Sequence, residues 1–295
     1  MNAAQTMETV REGLVEVRPG RILFHRTEIL GPSSTPSPKF QMLFLHGTCA
    51  SSSQYNSLLR ALSGVLEVSV VCHLFDSVSC GKSPQVGEWD AYHTDQAVLD
   101  LAAIMEKEID SSMPTLIVGH SYAPTIIIRC FDRQGIPMNI KGCIFLSSAI
   151  SGPVNPIPNG GHPIFRLPVV ILKCLQPSLT KSFLKLAYHP KTSSLLIEEA
   201  SKSNSGNNMY MAKAYHRHHQ WATTDECTVM RGVPVMIMHG KDDGILPVEA
   251  GIHLADVVNA AHIIIVDEAS HQVLEEKPAD VAKHMVAFLT GIQLI

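Results

Sequence analysis

Short apolar runs alternate with helically spaced apolar positions along most of this chain. Two runs flank the pair Pro19 and Gly20 and predict a hairpin with strands over 9–17 and 21–29, followed by a Pro- and Ser-rich loop over 31–39. Further buried strands are predicted over 42–45, 65–75, 114–120, 144–146, 233–238 and 262–266. Helices are predicted over 54–63, over 90–110, beyond residue 121 and at the end of the chain. Strands that alternate with helices predict an α/β fold, a mostly parallel, doubly wound sheet with an antiparallel N-terminal edge.

Residues 151–230 break this alternation. They are rich in proline at first, carry Ser, Asn and Gly around 201–208, and end in a polar aromatic stretch. We interpret them as a helical cap inserted over the strand ends, with 1–150 and 231–295 forming the core.

Composition narrows the functional classes. The 295 residues are 45% hydrophobic and 17% charged, which is typical of a globular protein. A net charge of −4 without a basic stripe argues against a nucleic-acid partner. The seven cysteines are odd in number and form no CxxC, so a reducing compartment is expected rather than disulfides or structural zinc. Neither a signal peptide nor a transmembrane segment is evident, so we expect a cytoplasmic protein.

A candidate nucleophile lies at Ser121. An apolar run ends at Gly119-His120-Ser121-Tyr122-Ala123, with small residues two positions before and two after the serine. This pattern predicts a sharp strand-to-helix turn that presents the hydroxyl, although glycine is more usual where Ala123 stands.

A serine hydroxyl needs a base, and the base needs an orienting acid. His271 follows the predicted strand 262–266 and precedes the last helix. The acid is expected after the strand 233–238, where Asp243 is preferred and Asp242 is the alternative. The order Ser121, Asp243, His271 is the one expected in α/β hydrolases.

An oxyanion hole requires two backbone N–H groups near the nucleophile. One is expected from Tyr122, the residue after the serine, and the other from the loop that follows the strand 42–45. Thr48 is our choice there, with Cys49 second.

These motifs resemble the α/β-hydrolase fold serine hydrolases of the capped esterase and lipase-like branch, over about 41–150 and 230–292. The matching segments are 46–48, 76–83, 119–123, 240–247 and 270–271, with Ser79 where the family usually has glycine. The resemblance implies hydrolysis of a carboxylic ester or thioester, with an apolar acyl or aromatic group, through an acyl-enzyme on Ser121. The expected partner is a small-molecule substrate, without cofactor or metal. Glu276 stands where some acyltransferase relatives have aspartate, so transfer is not supported.

Two other functions stay open: a triad-bearing small-molecule receptor with little turnover, and a cofactor-free oxygenase or perhydrolase. Cys80-Gly81-Lys82-Ser83 ends like a phosphate loop, but Asp76 occupies the required glycine position. His216 and His219 suggest a metal, yet a polar cap face is the favoured interpretation. The apolar stretch 164–172 is expected to be a buried cap helix, with an acyl pocket or peripheral membrane contact as alternatives.

Overall fold

A computed structural model describes residues 5–32, 37–203 and 206–295. Within these residues, eight strands form one sheet in the order β1-β2-β4-β3-β5-β6-β7-β8. The strands are β1 (Gln5–Arg18), β2 (Arg21–Pro32), β3 (Phe40–Leu45), β4 (Val70–Asp76), β5 (Thr115–His120), β6 (Ile140–Leu146), β7 (Val235–Gly240) and β8 (His262–Val266).

The sheet is mostly parallel. β1 pairs antiparallel with β2, and β2 pairs antiparallel with β4. Every later pairing, from β4–β3 to β7–β8, is parallel. The predicted fold class, including its antiparallel N-terminal edge, is therefore confirmed.

Helices cover both faces of the sheet: α1 (Asn56–Val65), α2 (Thr94–Lys107), α3 (Ala123–Gln134), α7 (Val248–Val258), α8 (Val273–Glu276) and α9 (Pro278–Gly291). The alternation of side chains along β3 shows the two layers. Leu43 is buried in one apolar cluster, whereas Met42 and Phe44 are buried in the other. The carboxyl ends of the parallel strands consequently share one edge, where loops from distant parts of the sequence meet.

Several predicted boundaries were wrong, including those of β1, which begins at Gln5 rather than at 9, and of β6, which begins at Ile140 rather than at 144. Val65 ends α1 and the amide of Leu66 donates to the carbonyl of Leu62, so the strand predicted over 65–75 begins only at Val70. Valine and leucine are compatible with either element, and here Leu66 is buried in the same apolar cluster as Leu59 and Leu62 of α1. The loop predicted over 31–39 begins inside β2, which extends to Pro32, and its residues 33–36 lie outside the described residues.

Between β6 and β7 lies a helical segment, called here the insert (residues 151–230). It contains α4 (Val169–Ala187), α5 (Ser194–Ser203) and α6 (Met209–Arg217), with a 3₁₀ turn at Pro163–Arg166. A second 3₁₀ turn, Glu226–Gly232, runs from the end of the insert toward β7. Its separate status as a cap domain stays a prediction. In the described part of the chain, no helix is both long and apolar enough to cross a bilayer.

Candidate active site

Ser121 lies in a strained turn between β5 and α3. Its φ is +58°, in the left-handed region that few non-glycine residues adopt. Its amide donates to the carbonyl of Leu146, and the Ser148 hydroxyl donates to the carbonyl of Ser121 at 2.7 Å. A Cβ on Gly119 would lie 2.9 Å from Ile127 Cδ1, which explains the small residue before the serine. Ala123 begins α3 with a negative φ, so the missing glycine costs no backbone strain there.

The His271 imidazole lies within hydrogen-bond distance of both the Ser121 hydroxyl and the Asp243 carboxylate. The Ser121 hydroxyl lies 3.0 Å from His271 Nε2, and His271 Nδ1 lies 2.9 Å from Asp243 Oδ2. His271 is 3% exposed and follows β8, while Asp243 follows β7. The three side chains therefore have the geometry of a nucleophile, a base and an orienting acid.

The local fold aims Asp243 inward. Its Oδ1 accepts the amides of Ile245 and Leu246, both at 2.8 Å, and His239 Nε2 lies 3.1 Å from its Oδ2. Burial alone would raise the pKa of Asp243, but the charge of His271 and hydrogen bonds from His239 and His271 outweigh it and hold the pKa well below its usual range. The carboxylate is consequently ionised at neutral pH.

Asp242, the alternative acid, points elsewhere. Its side chain is 50% exposed, and its nearest ionic partner is His189 Nε2 at 3.7 Å. Asp243 faces His271 whereas Asp242 faces solvent, so the geometry favours Asp243 as the acid that orients His271.

The loop after β3 lies directly against the nucleophile. A Cβ on Gly47 would lie 2.9 Å from His120 Nδ1 and 3.1 Å from Ser121 Cβ. Two hydrogen bonds of His46 hold this loop in place: its Nε2 accepts the amide of Ser77 at 2.9 Å, and its Nδ1 donates to the Gly47 carbonyl. Among the described residues, the backbone amides of Thr48 and Tyr122 have no hydrogen-bond acceptor. Both amides are therefore candidate donors to an oxyanion.

His219 joins the two candidate oxyanion residues and was missed from sequence. Its Nε2 lies 2.9 Å from Thr48 Oγ1, and its ring stacks on Tyr122 with centroids 4.1 Å apart. Burial, and secondarily the charge of His216, lower its pKa well below the usual value, so the imidazole is neutral. The expected polar cap face is wrong for His219, which is 3% exposed. No group of three His, Cys, Asp or Glu in the described residues is arranged to hold a metal.

Two further contacts position His271. His120 Nε2 donates to the main-chain carbonyl of His271 at 3.0 Å, and burial, reinforced by His271, lowers the pKa of His120 to about 3. The Glu276 carboxylate accepts the amide of Ser270 at 2.7 Å and the amide of His189 from the insert at 2.7 Å. His120 is the variable residue of the serine motif, so no residue pattern identified this role.

The loop after β4 closes on Asp76. Its carboxylate accepts the amides of Ser52 at 2.6 Å and Lys82 at 2.8 Å, so the Lys82 amide already has an anionic acceptor within the chain. Ser79, at the usual glycine position, has φ +60°. Its hydroxyl accepts the amide of Val86 and contacts the Tyr92 hydroxyl, and these bonds offset the strain.

Apolar side chains surround Tyr122 on the side of the insert. Tyr122, Trp221 and Leu246 form a buried cluster with Ala149 and Ala250, and Val154, Ile157 and Ile245 pack against it. A separate cavity of about 40 Å³ touches His46 and Ser77 beneath these loops but is not lined by the triad. The cluster therefore adjoins the nucleophile turn, whereas the cavity does not.

The sequence matches one family model and several known proteins, some of which are named as hydrolases. A family model described as serine aminopeptidase, S33, matches residues 36–278. Protein ABHD8 of Homo sapiens is 26% identical over 262 residues, covering 84% of this chain and 54% of that protein. The chain thus spans about half the length of the curated relatives it matches first. A shorter stretch of 58 residues is 33% identical to 2-hydroxy-6-oxo-6-(2'-aminophenyl)hexa-2,4-dienoic acid hydrolase of Metapseudomonas resinovorans, 20% of each chain.

Solved structures share the fold. A putative aryl esterase from Burkholderia cenocepacia has a TM-score of 0.74 at 18% identity, covering 96% of this chain and 99% of that one. A bromoperoxidase from Bacillus anthracis has a TM-score of 0.73 at 16% identity, covering 95% and 100%. Such low identities establish the fold alone. Since the family model spans most of the sequence, the chain belongs to the serine aminopeptidase S33 family of α/β hydrolases.

Proposed function

We propose that this α/β hydrolase cleaves a carboxylic ester or thioester through an acyl-enzyme on Ser121. One observation carries the proposal: the Ser121 hydroxyl lies 3.0 Å from His271 Nε2 while His271 Nδ1 lies 2.9 Å from Asp243. A serine so placed can transfer its proton to the imidazole as it attacks a carbonyl carbon.

In the proposed first step, Ser121 Oγ bonds to the acyl carbon and its proton moves to His271. The carbonyl oxygen becomes an anion that the Thr48 and Tyr122 amides stabilise, and Asp243 balances the imidazolium. The imidazolium protonates the leaving alcohol or thiol. Water then attacks the acyl-enzyme and gives a proton to His271. His271 passes that proton to Ser121 Oγ as the acyl C–Oγ bond breaks, which releases the acid and restores the free serine.

The surroundings support an apolar or aromatic acyl group. The cluster of Tyr122, Trp221 and Leu246 offers an apolar wall beside the turn. A free α-ammonium group, which an aminopeptidase substrate would carry, requires a carboxylate partner. Residues 151–197 of the insert contain no aspartate or glutamate, and further along it Glu198 and Glu226 pair with Lys202 and Arg129. Asp243 is engaged with His271. These facts favour an uncharged substrate. The seven free cysteines agree with the proposed reducing, cytoplasmic location.

Steady-state hydrolysis of p-nitrophenyl esters of increasing chain length tests the proposal. We expect turnover that increases from acetate to longer or aromatic acyl groups and disappears in Ser121→Ala. Ser178→Ala, which removes an exposed hydroxyl on α4, is the matched control and should retain full activity. Retained hydrolysis in pure Ser121→Ala protein would overturn the nucleophile. A thermal shift with esters but no turnover would favour the receptor interpretation instead.

A further inference from the structure

An exposed apolar surface on the insert is unused by the proposed chemistry. It is called here the α4–α5 face and comprises large apolar side chains that are 37–73% exposed. These are Val170, Ile171, Leu175, Phe183, Leu186 and Leu195. The expectation that 164–172 is a buried helix is thus wrong. Pro163–Arg166 is a 3₁₀ turn, α4 begins only at Val169, and Val170 and Ile171 are exposed, although Leu172 is buried.

The helix periodicity gathers much of this surface into a stripe. Ile171 and Leu175 are four residues apart, and Phe183 and Leu186 continue the same side two to three turns later. Lys181 and Lys185 lie four residues apart on the flank beside this stripe. α4 therefore combines an exposed apolar side with a basic border, the arrangement typical of helices that lie in a membrane interface.

The charged side chains of residues 163–197 are all basic. From 163 to 197 the chain carries one arginine, four lysines and no acidic residue, whereas the whole chain has a net charge of −4. In the described part of the chain, Lys173, Lys181 and Lys185 make no ion pair, while Lys191 pairs with Glu268. The basic side chains of α4 are consequently available to an external anion.

The α4–α5 face ends beside the candidate active site. The carbonyl of Leu186 accepts the Ser270 hydroxyl at 2.8 Å and the amide of Gly244 at 3.2 Å. The carbonyl of Ala187 accepts the amide of Gln272 at 3.1 Å. A surface bound at this face would therefore lie close to the loops that carry His271 and Asp243.

From the exposed apolar stripe and its unpaired lysines, we propose that the α4–α5 face binds peripherally to an anionic lipid surface. Apolar side chains enter the boundary between headgroups and acyl chains, and the lysines meet lipid phosphates and carboxylates. A second copy of the chain fits less well, because a two-fold interface would bring this acid-free segment against itself. The proposal is independent of the proposed hydrolysis.

Vesicle flotation of the full chain tests the proposal, with Ser121→Ala as background so that no lipid is consumed. We expect binding to phosphatidylcholine vesicles that contain phosphatidylserine, weaker binding to phosphatidylcholine alone, and release by added salt. Each lysine near an anionic surface contributes roughly fivefold in partitioning, so Lys181→Gln with Lys185→Gln should weaken binding about 25-fold.

The apolar contribution is tested separately. Ile171→Ser with Leu175→Ser should weaken binding to the same vesicles at least tenfold while hydrolysis of a soluble ester, measured with Ser121 present, is unchanged. Met138→Ser is the matched control, since Met138 is 93% exposed outside the insert, and it should bind normally. Absence of binding to phosphatidylserine vesicles at low salt, or an equal loss in Met138→Ser, would overturn the proposal. So would a concentration-dependent dimer that the α4 variants abolish without any vesicle binding.

Discussion

Replacing Asp243 by asparagine tests whether Asp243, rather than the adjacent Asp242, is the acid that orients His271. The carboxylate accepts His271 Nδ1 at 2.9 Å and the amides of Ile245 and Leu246 at 2.8 Å each. Asparagine keeps the volume but has one acceptor oxygen. If that oxygen stays on the two amides, its NH₂ group faces His271 Nδ1 and favours the tautomer that carries its proton on Nε2. Ser121 then has no base, and kcat should fall about 10⁴-fold, a rise in the activation barrier of roughly 5 kcal/mol.

Asp242→Asn is the matched control. That side chain is 50% exposed and 3.7 Å from His189, so kcat should change less than about twofold. Both variants are assayed on one p-nitrophenyl ester, with circular dichroism to verify folding. A larger loss in Asp242→Asn than in Asp243→Asn would refute the assignment of the acid.

His219→Ala should lower kcat about tenfold with little change in KM, because it frees Thr48 and Tyr122 to move. His219→Gln should recover part of the lost kcat. An effect on KM alone would contradict a role of His219 in positioning the two oxyanion residues. Gly119→Ala should destabilise the fold by about 1–3 kcal/mol in urea unfolding, since its Cβ would meet Ile127 Cδ1 at 2.9 Å and also Pro124 Cδ and N at 3.1 and 3.2 Å, where the backbone cannot easily move. Unchanged stability would contradict the close packing. Burial raises the pKa of Glu275 from 4.5 to about 7, so between these pH values the folded state keeps a proton that the unfolded state releases. The free energy of unfolding should therefore fall by at most about 3 kcal/mol as pH rises from 4.5 to 7. Glu275→Gln should remove this pH dependence, and an unchanged pH dependence in that variant would refute the assignment to Glu275.

Much of the fold and the nucleophile turn could be predicted from sequence. The apolar runs specify strands because both faces of the sheet are buried, and a strand followed by Gly119 and Ser121 specifies the turn. The boundary at Val65 could not be predicted, since valine and leucine suit both elements and tertiary packing decides between them.

Some residues of the candidate site could be predicted from the sequence, whereas others depend on contacts that only the folded chain makes. Ser121 and His271 each follow a recognisable strand, but Asp242 and Asp243 are chemically alike, and only the backbone amides that anchor Asp243 distinguish them. His219 belongs to the insert and reaches Thr48 across 171 residues of sequence. Such a contact depends on how the insert packs, which local sequence patterns do not encode.

Covalent labelling by a fluorophosphonate, with the labelled residue identified by peptide mass spectrometry, shows which side chain is the nucleophile. We expect a single adduct on Ser121, its loss in His271→Ala, and its retention in Asp242→Asn. An adduct on another serine, or undiminished labelling of Ser121 in His271→Ala, would contradict the claim that His271 activates Ser121 as the nucleophile.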